Sequence, residues 1–409
     1  MKTILRLLST LTLVCFGLVC ERPAGAADWP TYRHDLARSG VTRETLAVPL
    51  HRQWVHATAH APRPAWPEPG RELNRLAFDY AYDVTVAKGV AYFGSSADHK
   101  VYAIDLGTGR ERWHFFTEGP VRFAPTIEAG RVFVASDDGR LYCLSAADGK
   151  LLWRFDGGPH QEKIMGNEQM ISRWPVRTGV GVEAGVVYVA AGMWPSEGVY
   201  VYALRAEDGT ILWENATSGM GYVRQPHPGS FAMTGVAPQG YVLGRDGQIF
   251  VPTGRSVPAA YNRETGQLLY YRGAPTTWGN RWGGTWNFLA NGLLFGWRCH
   301  IGPDIDVQLG EYPPDKNDGI IAFDAPSGKE RREVAGILRA VVRQGILYAS
   351  GSGKVSACDL KAWLGGAKTR KWETPHGRAY ALIMAGDTLV VGGQGTVTTI
   401  AAETGRVLW

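Results

Sequence analysis

Val101-Tyr-Ala-Ile-Asp-Leu-Gly-Thr-Gly-Arg-Glu-Arg-Trp113 returns as Leu141-Tyr-Cys-Leu-Ser-Ala-Ala-Asp-Gly-Lys-Leu-Leu-Trp153 and again as Val201-Tyr-Ala-Leu-Arg-Ala-Glu-Asp-Gly-Thr-Ile-Leu-Trp213. Weaker copies run from Pro258 to Tyr270, with Thr265-Gly266, and from Ile320 to Arg332, with Ser327-Gly328 and arginine in place of the tryptophan. A sixth, Val355 to Trp372, carries an insertion, and a seventh, Val397 to Trp409, restores Thr404-Gly405 and the closing tryptophan. The closing residues are spaced by 40, 60, 57, 62, 40 and 37 positions. A four-stranded unit needs about 40 to 45 residues, so the longer intervals carry extra loops rather than extra units.

Each unit reads as three strands, a turn and a fourth strand. The second strand shows in Gly89-Val-Ala-Tyr-Phe-Gly94 and Gly130-Arg-Val-Phe-Val-Ala135, whose β-branched and aromatic residues suit a sheet. The Asp/Thr-Gly pair supplies a residue able to take positive φ, which closes a hairpin before the strand that ends in tryptophan. Small Ala103, Ala203 and Ala322 are expected to let a neighbouring unit's indole approach. Burying each tryptophan is worth on the order of 2 to 3 kcal/mol. With 52 glycines and 15 tryptophans, the 409-residue chain reads as all-β, built by repetition as a β-propeller.

Lys2 and Arg6 precede an apolar run from Leu7 to Cys20, and Ala24-Gly25-Ala26 follows, which is the pattern of a secretory signal over residues 1–26. No later stretch is long and apolar enough to span a membrane, so the mature protein is expected in the periplasm, in the cell envelope or secreted. Cys20 is preceded by Val19, which argues against lipidation. The mature cysteines are Cys143, Cys299 and Cys358, an odd set that favours packed thiols over a disulfide framework. The net charge of +5 is scattered, with no basic run interleaved with aromatics, so no nucleic-acid partner is expected.

Ala103, Asp105, Thr108, Gly109 and Trp113 match in full the A-x-D-x-x-T-G-x-x-x-W tryptophan-docking motif of pyrroloquinoline quinone (PQQ) repeats. Gly149, Trp153, Gly209, Trp213, Gly266, Gly328, Gly405 and Trp409 repeat parts of it. Asp28-Trp-Pro-Thr-Tyr-Arg-His-Asp-Leu-Ala-Arg-Ser-Gly40 also resembles the W-P-x-x-R-x-D start of secreted bacterial members. The resemblance covers residues 80–409 and implies a propeller of quinoprotein-type blades. Residues 27–79 form an N-terminal segment, in which Trp54 is expected on a lone strand that closes the ring by joining the last blade. Strands of an eighth blade would then lie beyond Trp409, the propeller being truncated there; the alternative is a closed seven-bladed ring with Trp54 packed elsewhere.

Enzymes of this family hold a quinone at the ring centre with a calcium bound by Glu, Asn and Asp, an aspartate base and a vicinal cysteine pair. This chain has no adjacent cysteines after the signal. The smaller relatives include the propeller subunit of the outer-membrane β-barrel assembly machinery, a scaffold that binds proteins. The expected role is therefore noncatalytic binding or scaffolding toward a protein or envelope component, without a cofactor. A PQQ- and Ca²⁺-dependent alcohol or sugar dehydrogenase is the alternative, and a propeller domain of a larger enzyme a third.

Binding candidates lie in the long insertions. Trp278, Arg281, Trp282 and Trp286 could stack a sugar, a quinone or a peptide, or else fill space between blades. The insertion from His160 to Arg177 adds Glu168, Arg173 and Trp174, for which loop packing is the plainer reading. Asp304 and Asp306, near His300, fall short of a calcium site. His114 and His227 show no metal-ligand spacing.

Overall fold

The structure is a computed structural model and describes residues 27–66, 78–224, 231–254, 256–273, 280–300, 318–367 and 370–409. The signal segment, Trp278, His227, Asp304 and Asp306 lie outside the described residues.

Seven four-stranded sheets form among the described residues. Blade 1 consists of Val84–Ala87, Val90–Ser95, Lys100–Asp105 and Glu111–Phe116; blade 2 of Thr126–Glu128, Arg131–Ala135, Arg140–Ser145 and Leu151–Asp156. Blade 3 runs from Gly181–Glu183 to Ile211–Asn215 and blade 4 from Leu243–Arg245 to Leu268–Gly273. Blade 5 runs from Asn280–Ala290 to Glu330–Ala335 and blade 6 from Arg339–Arg343 to Trp372–Pro375. In blade 7, Ala381–Ala385, Thr388–Gly392 and Val397–Ala401 are joined by Val41–Thr42.

Within blades 1 to 6 the strands pair antiparallel in chain order, so position in the repeat sets distance from the axis. The second strand lies between two neighbouring blades. Val90–Ser95 is buried at every position, whereas the outermost Glu111–Phe116 is exposed at most of its positions. Successive blades share apolar clusters. Val90, Tyr92, Val101 and Trp113 of blade 1 meet Val132, Val134, Tyr142 and Leu144 of blade 2, and blades 6 and 7 meet through Val341, Tyr348, Val355, Leu389 and Val391.

The docking motif works from blade to blade. Trp113 Nε1 donates to Ala146 O (3.1 Å), Trp153 to Ala206 O (3.2 Å), Trp213 to Arg263 O (2.9 Å) and Trp372 to Ala402 O (2.8 Å). In blade 4 the Tyr270 hydroxyl takes the same part toward Ala325 O, at 2.8 Å. Each ring lies flat on the turn glycine of the following blade. A Cβ on Gly149, at φ +72°, would stand 2.6 Å from the Trp113 ring, and the same crowding recurs at Gly209, Gly266, Gly328 and Gly405. Asp105 holds the turn by accepting from Thr108 N (2.8 Å) and Thr108 Oγ1 (2.9 Å).

Two expectations need correction. Ala103, Ala203 and Ala322 pair across the ladder with Trp113, Trp213 and Arg332 of their own blades, so their small size accommodates the home residue rather than a neighbour's indole. Residues 43–66 contain no strand, and the strand that joins the last blade is Val41–Thr42, parallel to Met384 and Ala385 on the inner edge. Trp54 instead acts through its side chain. It donates to Leu106 O (2.7 Å) and lies on Gly109 of blade 1, as the other docking indoles do on theirs. Arg332, the departure from the motif, stands over Trp363 at 5.4 Å on the inserted helix Leu360–Leu364, and its guanidinium meets Gly366.

Candidate functional site

The middle of the ring is built by a stretch that occurs once. Residues 29–42 run past the innermost strand of every blade. Trp29 exchanges backbone hydrogen bonds with Val86 of blade 1, and Pro30 O accepts from Ile127 N of blade 2 (2.8 Å). Leu36 O accepts from Gly244 N of blade 4, Ala37 O from Leu289 N of blade 5 and Gly40 O from Met384 N of blade 7. Two buried arginines reach the rest. Arg38 donates to Val180 O at the entry to blade 3 (2.9 Å) and twice to Val242 O beside blade 4 (3.0 and 2.7 Å). Arg33 donates to Ala340 O of blade 6 (2.8 Å), to Arg38 O (2.8 Å) and to Ser39 O (3.2 Å).

Innermost edge strands leave backbone carbonyls facing the axis, and a buried guanidinium with its fork of donors can satisfy several at once. Arg38 has no measurable exposure. Burial pulls its pKa down to about 10, against the favourable fields of Tyr241 and Asp35, which leaves it charged at neutral pH. Asp35 accepts from Ser39 N (2.9 Å) and Ser39 Oγ (2.6 Å) and so holds the turn between the two arginines.

This floor underlies a funnel with a cavity of about 620 Å³. Its walls are aromatic and cationic. Tyr32 stacks on Tyr241 at 3.8 Å and 5°, and Phe78 on Phe123 at 5.3 Å and 2°. Arg33, Arg339 and Arg378 all line the funnel and lie over Phe288, Trp286 and Tyr380, with guanidinium-to-centroid distances of 5.1, 5.4 and 5.5 Å. Among the described lining residues the single carboxylate is Asp83. It accepts from the Tyr241 hydroxyl at 2.8 Å, and that oxygen in turn accepts from Ala124 N at 2.7 Å. Burial pushes the Asp83 carboxyl up to about 6, with the Tyr241 hydrogen bond and Arg339 pulling the other way.

Beside the funnel lies a buried ionic network. Arg122 bridges Asp79 (2.6 Å) and Asp137 (2.5 Å), and Arg177 donates twice to Asp137 (3.1 and 2.7 Å). Burial by itself would raise both acids; Arg122 and Arg177 together hold Asp137 below its ordinary value, whereas Asp79 stays raised. With two cations and two anions the cluster is neutral, and it fixes the loops through Ala65 N to Asp79 (2.9 Å) and Arg122 to Arg63 O (2.8 Å).

The sequence candidates fare unevenly. Trp286 lines the funnel. Trp282 is buried, tilted against Phe323 at 60°, and donates to Glu333 at 3.2 Å. Arg281 pairs with Cys299 in the ladder, and Asn280 with His300. Trp174 is also buried, donating to Glu197 O (2.6 Å) beneath Arg173, which pairs with Glu162 and Glu197. Glu168 pairs with Arg63 at the surface (3.1 Å), and His114 lies 2.6 Å from Glu111. Cys143 of blade 2 and Cys358 of blade 6 are free thiols, raised by burial. Sequence reasoning missed Asp83, Tyr241, Arg339 and Arg378, none of which belongs to the docking motif. Arg33 and Arg38 stood in the quoted N-terminal stretch without an assigned part.

Two hairpins interrupt the ring on either side of blade 3: Lys163–Gly166 with Gln169–Ser172, and Gly221–Arg224 with Phe231–Thr234. They expose Met165, Met170, Tyr222, Phe231 and Met233. Among the described residues no three His, Cys, Asp or Glu side chains gather as a metal site, and no helix is long and apolar enough to cross a membrane.

Seven meander blades, locked by tryptophan on turn glycine, define the chain as a β-propeller whose repeats are similar to those of PQQ-like propellers. Residues 53–174 match the family described as outer membrane protein assembly factor BamB. The chain is 28% identical to polyvinylalcohol dehydrogenase of a Pseudomonas species over 159 residues, 35% of this chain and 25% of that enzyme. It is 27% identical to quinoprotein alcohol dehydrogenase PedH of Pseudomonas putida over 211 residues, 47% and 33% of the two. It therefore spans a quarter to a third of the length of these curated relatives. Among solved structures, BamB from Moraxella catarrhalis superposes with a TM-score of 0.50 at 14% identity, covering 76% of this chain and 81% of that one. Quinohemoprotein alcohol dehydrogenase from Comamonas testosteroni gives 0.56 at 15% identity, covering 94% and 73%. At those identities the superpositions concern the fold alone.

Proposed function

We propose that this protein is an exported, noncatalytic binding or scaffolding propeller that captures its ligand or partner at the open end of the ring. One observation carries the reading: the ring centre is floored by the chain's own residues 29–42, and the funnel above carries three arginines and a single described carboxylate, Asp83, already engaged by Tyr241. A calcium-held quinone calls for several converging oxygen ligands, and the described lining does not fit that requirement. The exposed methionines and aromatics of the hairpins beside blade 3 favour capture of a protein, since flexible apolar side chains adapt to a partner surface. Likeness to a protein named as an assembly factor points the same way.

The matches to dehydrogenases favour a second reading, in which the chain is a quinone-dependent enzyme or the propeller part of one. Titration of the mature protein with PQQ and Ca²⁺, followed by tryptophan fluorescence and by alcohol-dependent dye reduction, separates the two. The binding reading expects no turnover. Saturable, calcium-dependent quinone binding with turnover overturns it.

A further inference from the structure

We propose that the two hairpins beside blade 3 carry a methionine-oxidation switch: peroxide converts Met165, Met170, Met220 and Met233 to sulfoxides, which makes that surface polar and releases what it holds. This rests on the binding reading above and names the regulation of its capture surface.

The sulfurs divide sharply. Of seven methionines, Met1 lies outside the described residues and the others fall into two groups. Met165, Met170, Met220 and Met233 are 48% to 71% exposed, and all four lie in or beside the two hairpins. Met193 and Met384 are only 4% and 2% exposed. Met193 Sδ accepts from Arg177 Nη1 at 3.0 Å, and Met384 belongs to the cluster between blades 6 and 7. Thioether oxidation follows access to the sulfur, so the reactive group coincides with the surface assigned to capture. The two described thiols do not compete. Burial pushes Cys143 up to about 12 and raises Cys358 as well, and a protonated thiol is a poor nucleophile toward peroxide.

Local structure keeps the change on the surface. Asn167 and Glu168 take positive φ in a two-residue turn, so Gly166 and Gln169 close the first hairpin. Met165 then faces Met170 at the next, non-hydrogen-bonded position, where side chains of the two strands lie closest. The opposite face sets Ile164 across from Ile171, which is buried, and the Asn167 side chain donates to Pro64 O at 2.8 Å. In the second hairpin Met233 lies across from Tyr222, whose ring stacks on Phe231 at 5.6 Å. A sulfoxide at each sulfur places a strong dipole on these faces, which an apolar partner would desolvate without supplying a donor. The contacts that anchor the first hairpin are untouched.

The reaction balances without a further reagent. The sulfur lone pair attacks one peroxide oxygen, and an S–O bond forms as the O–O bond breaks. The other oxygen leaves as water with both hydrogens, so sulfur loses an electron pair and the peroxide gains it.

The test exposes the full chain to graded hydrogen peroxide, maps oxygen addition by peptide mass spectrometry, and titrates each sample with Nile red, a neutral apolar dye. The four hairpin methionines should oxidise at least about tenfold faster than Met193 and Met384. Dye affinity should fall at least about fivefold with an unchanged circular dichroism spectrum, and return after treatment with the pair of sulfoxide reductases that serve the two epimers. A variant combining Met165→Leu, Met170→Leu, Met220→Leu and Met233→Leu should bind the dye as the reduced protein does and ignore peroxide. Equal oxidation of Met193 and Met384, no dye bound by the reduced protein, affinity indifferent to oxidation, or an equal loss in the leucine variant each overturns the proposal. Quinone-dependent turnover would sink the noncatalytic reading and leave these results standing; uniform oxidation would sink this proposal alone.

Discussion

The rim and the middle of this propeller hold the blades together in opposite ways. At the rim, one device recurs with small changes: an indole from one blade lies on the turn glycine of the next and donates to a carbonyl there, as Trp113 does toward Gly149 and Ala146 O. In the middle nothing recurs, and residues 29–42, with Arg33 and Arg38, reach all seven blades at or beside their inner edges from a single stretch. A failure at the rim loosens one interface, whereas a failure in the middle touches several blades at once. Distributed contacts spread risk and shared contacts concentrate it.

The largest effect should come from the middle. Arg38→Met removes the guanidinium donors from the carbonyls of Val180, Val242 and Tyr32, leaving Val180 O to Thr126 Oγ1 alone, at a site closed to water, and a loss of about 4 kcal/mol in urea denaturation is expected. A loss below about 1 kcal/mol would mean that the floor is decoration. Trp113→Ala at the rim should cost about 3 kcal/mol by the same measurement, from a cavity plus the donor lost at Ala146 O. If Trp113→Ala costs more than Arg38→Met, the contrast is reversed.

Gly149→Ala tests the rim more finely. A side chain there takes positive φ and meets the Trp113 ring at 2.6 Å, so about 2 kcal/mol is expected, against about 1 kcal/mol at Gly130, where φ is also positive but nothing stands within 4 Å and the backbone cost acts alone. Asp83→Asn has the smallest effect and the opposite sign. Because the folded carboxyl is raised to about 6, folding takes up a proton between the ordinary carboxylate range and pH 6, and stability falls as pH rises through that window. The variant should gain on the order of 1 kcal/mol at pH 7.5, allowing for the solvated face of Asp83, and nothing at pH 4. Equal gains at both pH values would show that the charge is not the cause.

Legibility in the sequence follows the same division. The blades could be read because Asp105, Thr108, Gly109 and Trp113 serve a packing problem that each copy solves again, and repetition exposes a shared cause. The insertion tryptophans could not be sorted from one another by spacing, because spacing in a strand is informative only while the register holds. Between Gly283 and Asn287 the ladder, which pairs them with the adjacent Trp297 and Gly296, shifts register, and Gly283 and Gly284 both take positive φ. That bulge sends Trp286 into the funnel, while Trp282 is buried beside Phe323. Asp83, Tyr241, Arg339 and Arg378 come from four separate places in the chain and meet only when the ring forms. A single-copy site assembled across hundreds of residues leaves no local pattern.

The floor also sets an order of events. Arg33 finds Ala340 O at a sequence separation of 307 residues, and Val41–Thr42 pairs with Met384 and Ala385, so a stretch that precedes every blade in the chain completes its bonding only after blade 7 exists. Contacts of such span contribute little until the chain between them is already organised, which makes ring completion a late and slow step. Until then the inner strand edges of the early blades are unpaired templates, and the protein's greatest exposure to misassociation falls during its folding rather than after it.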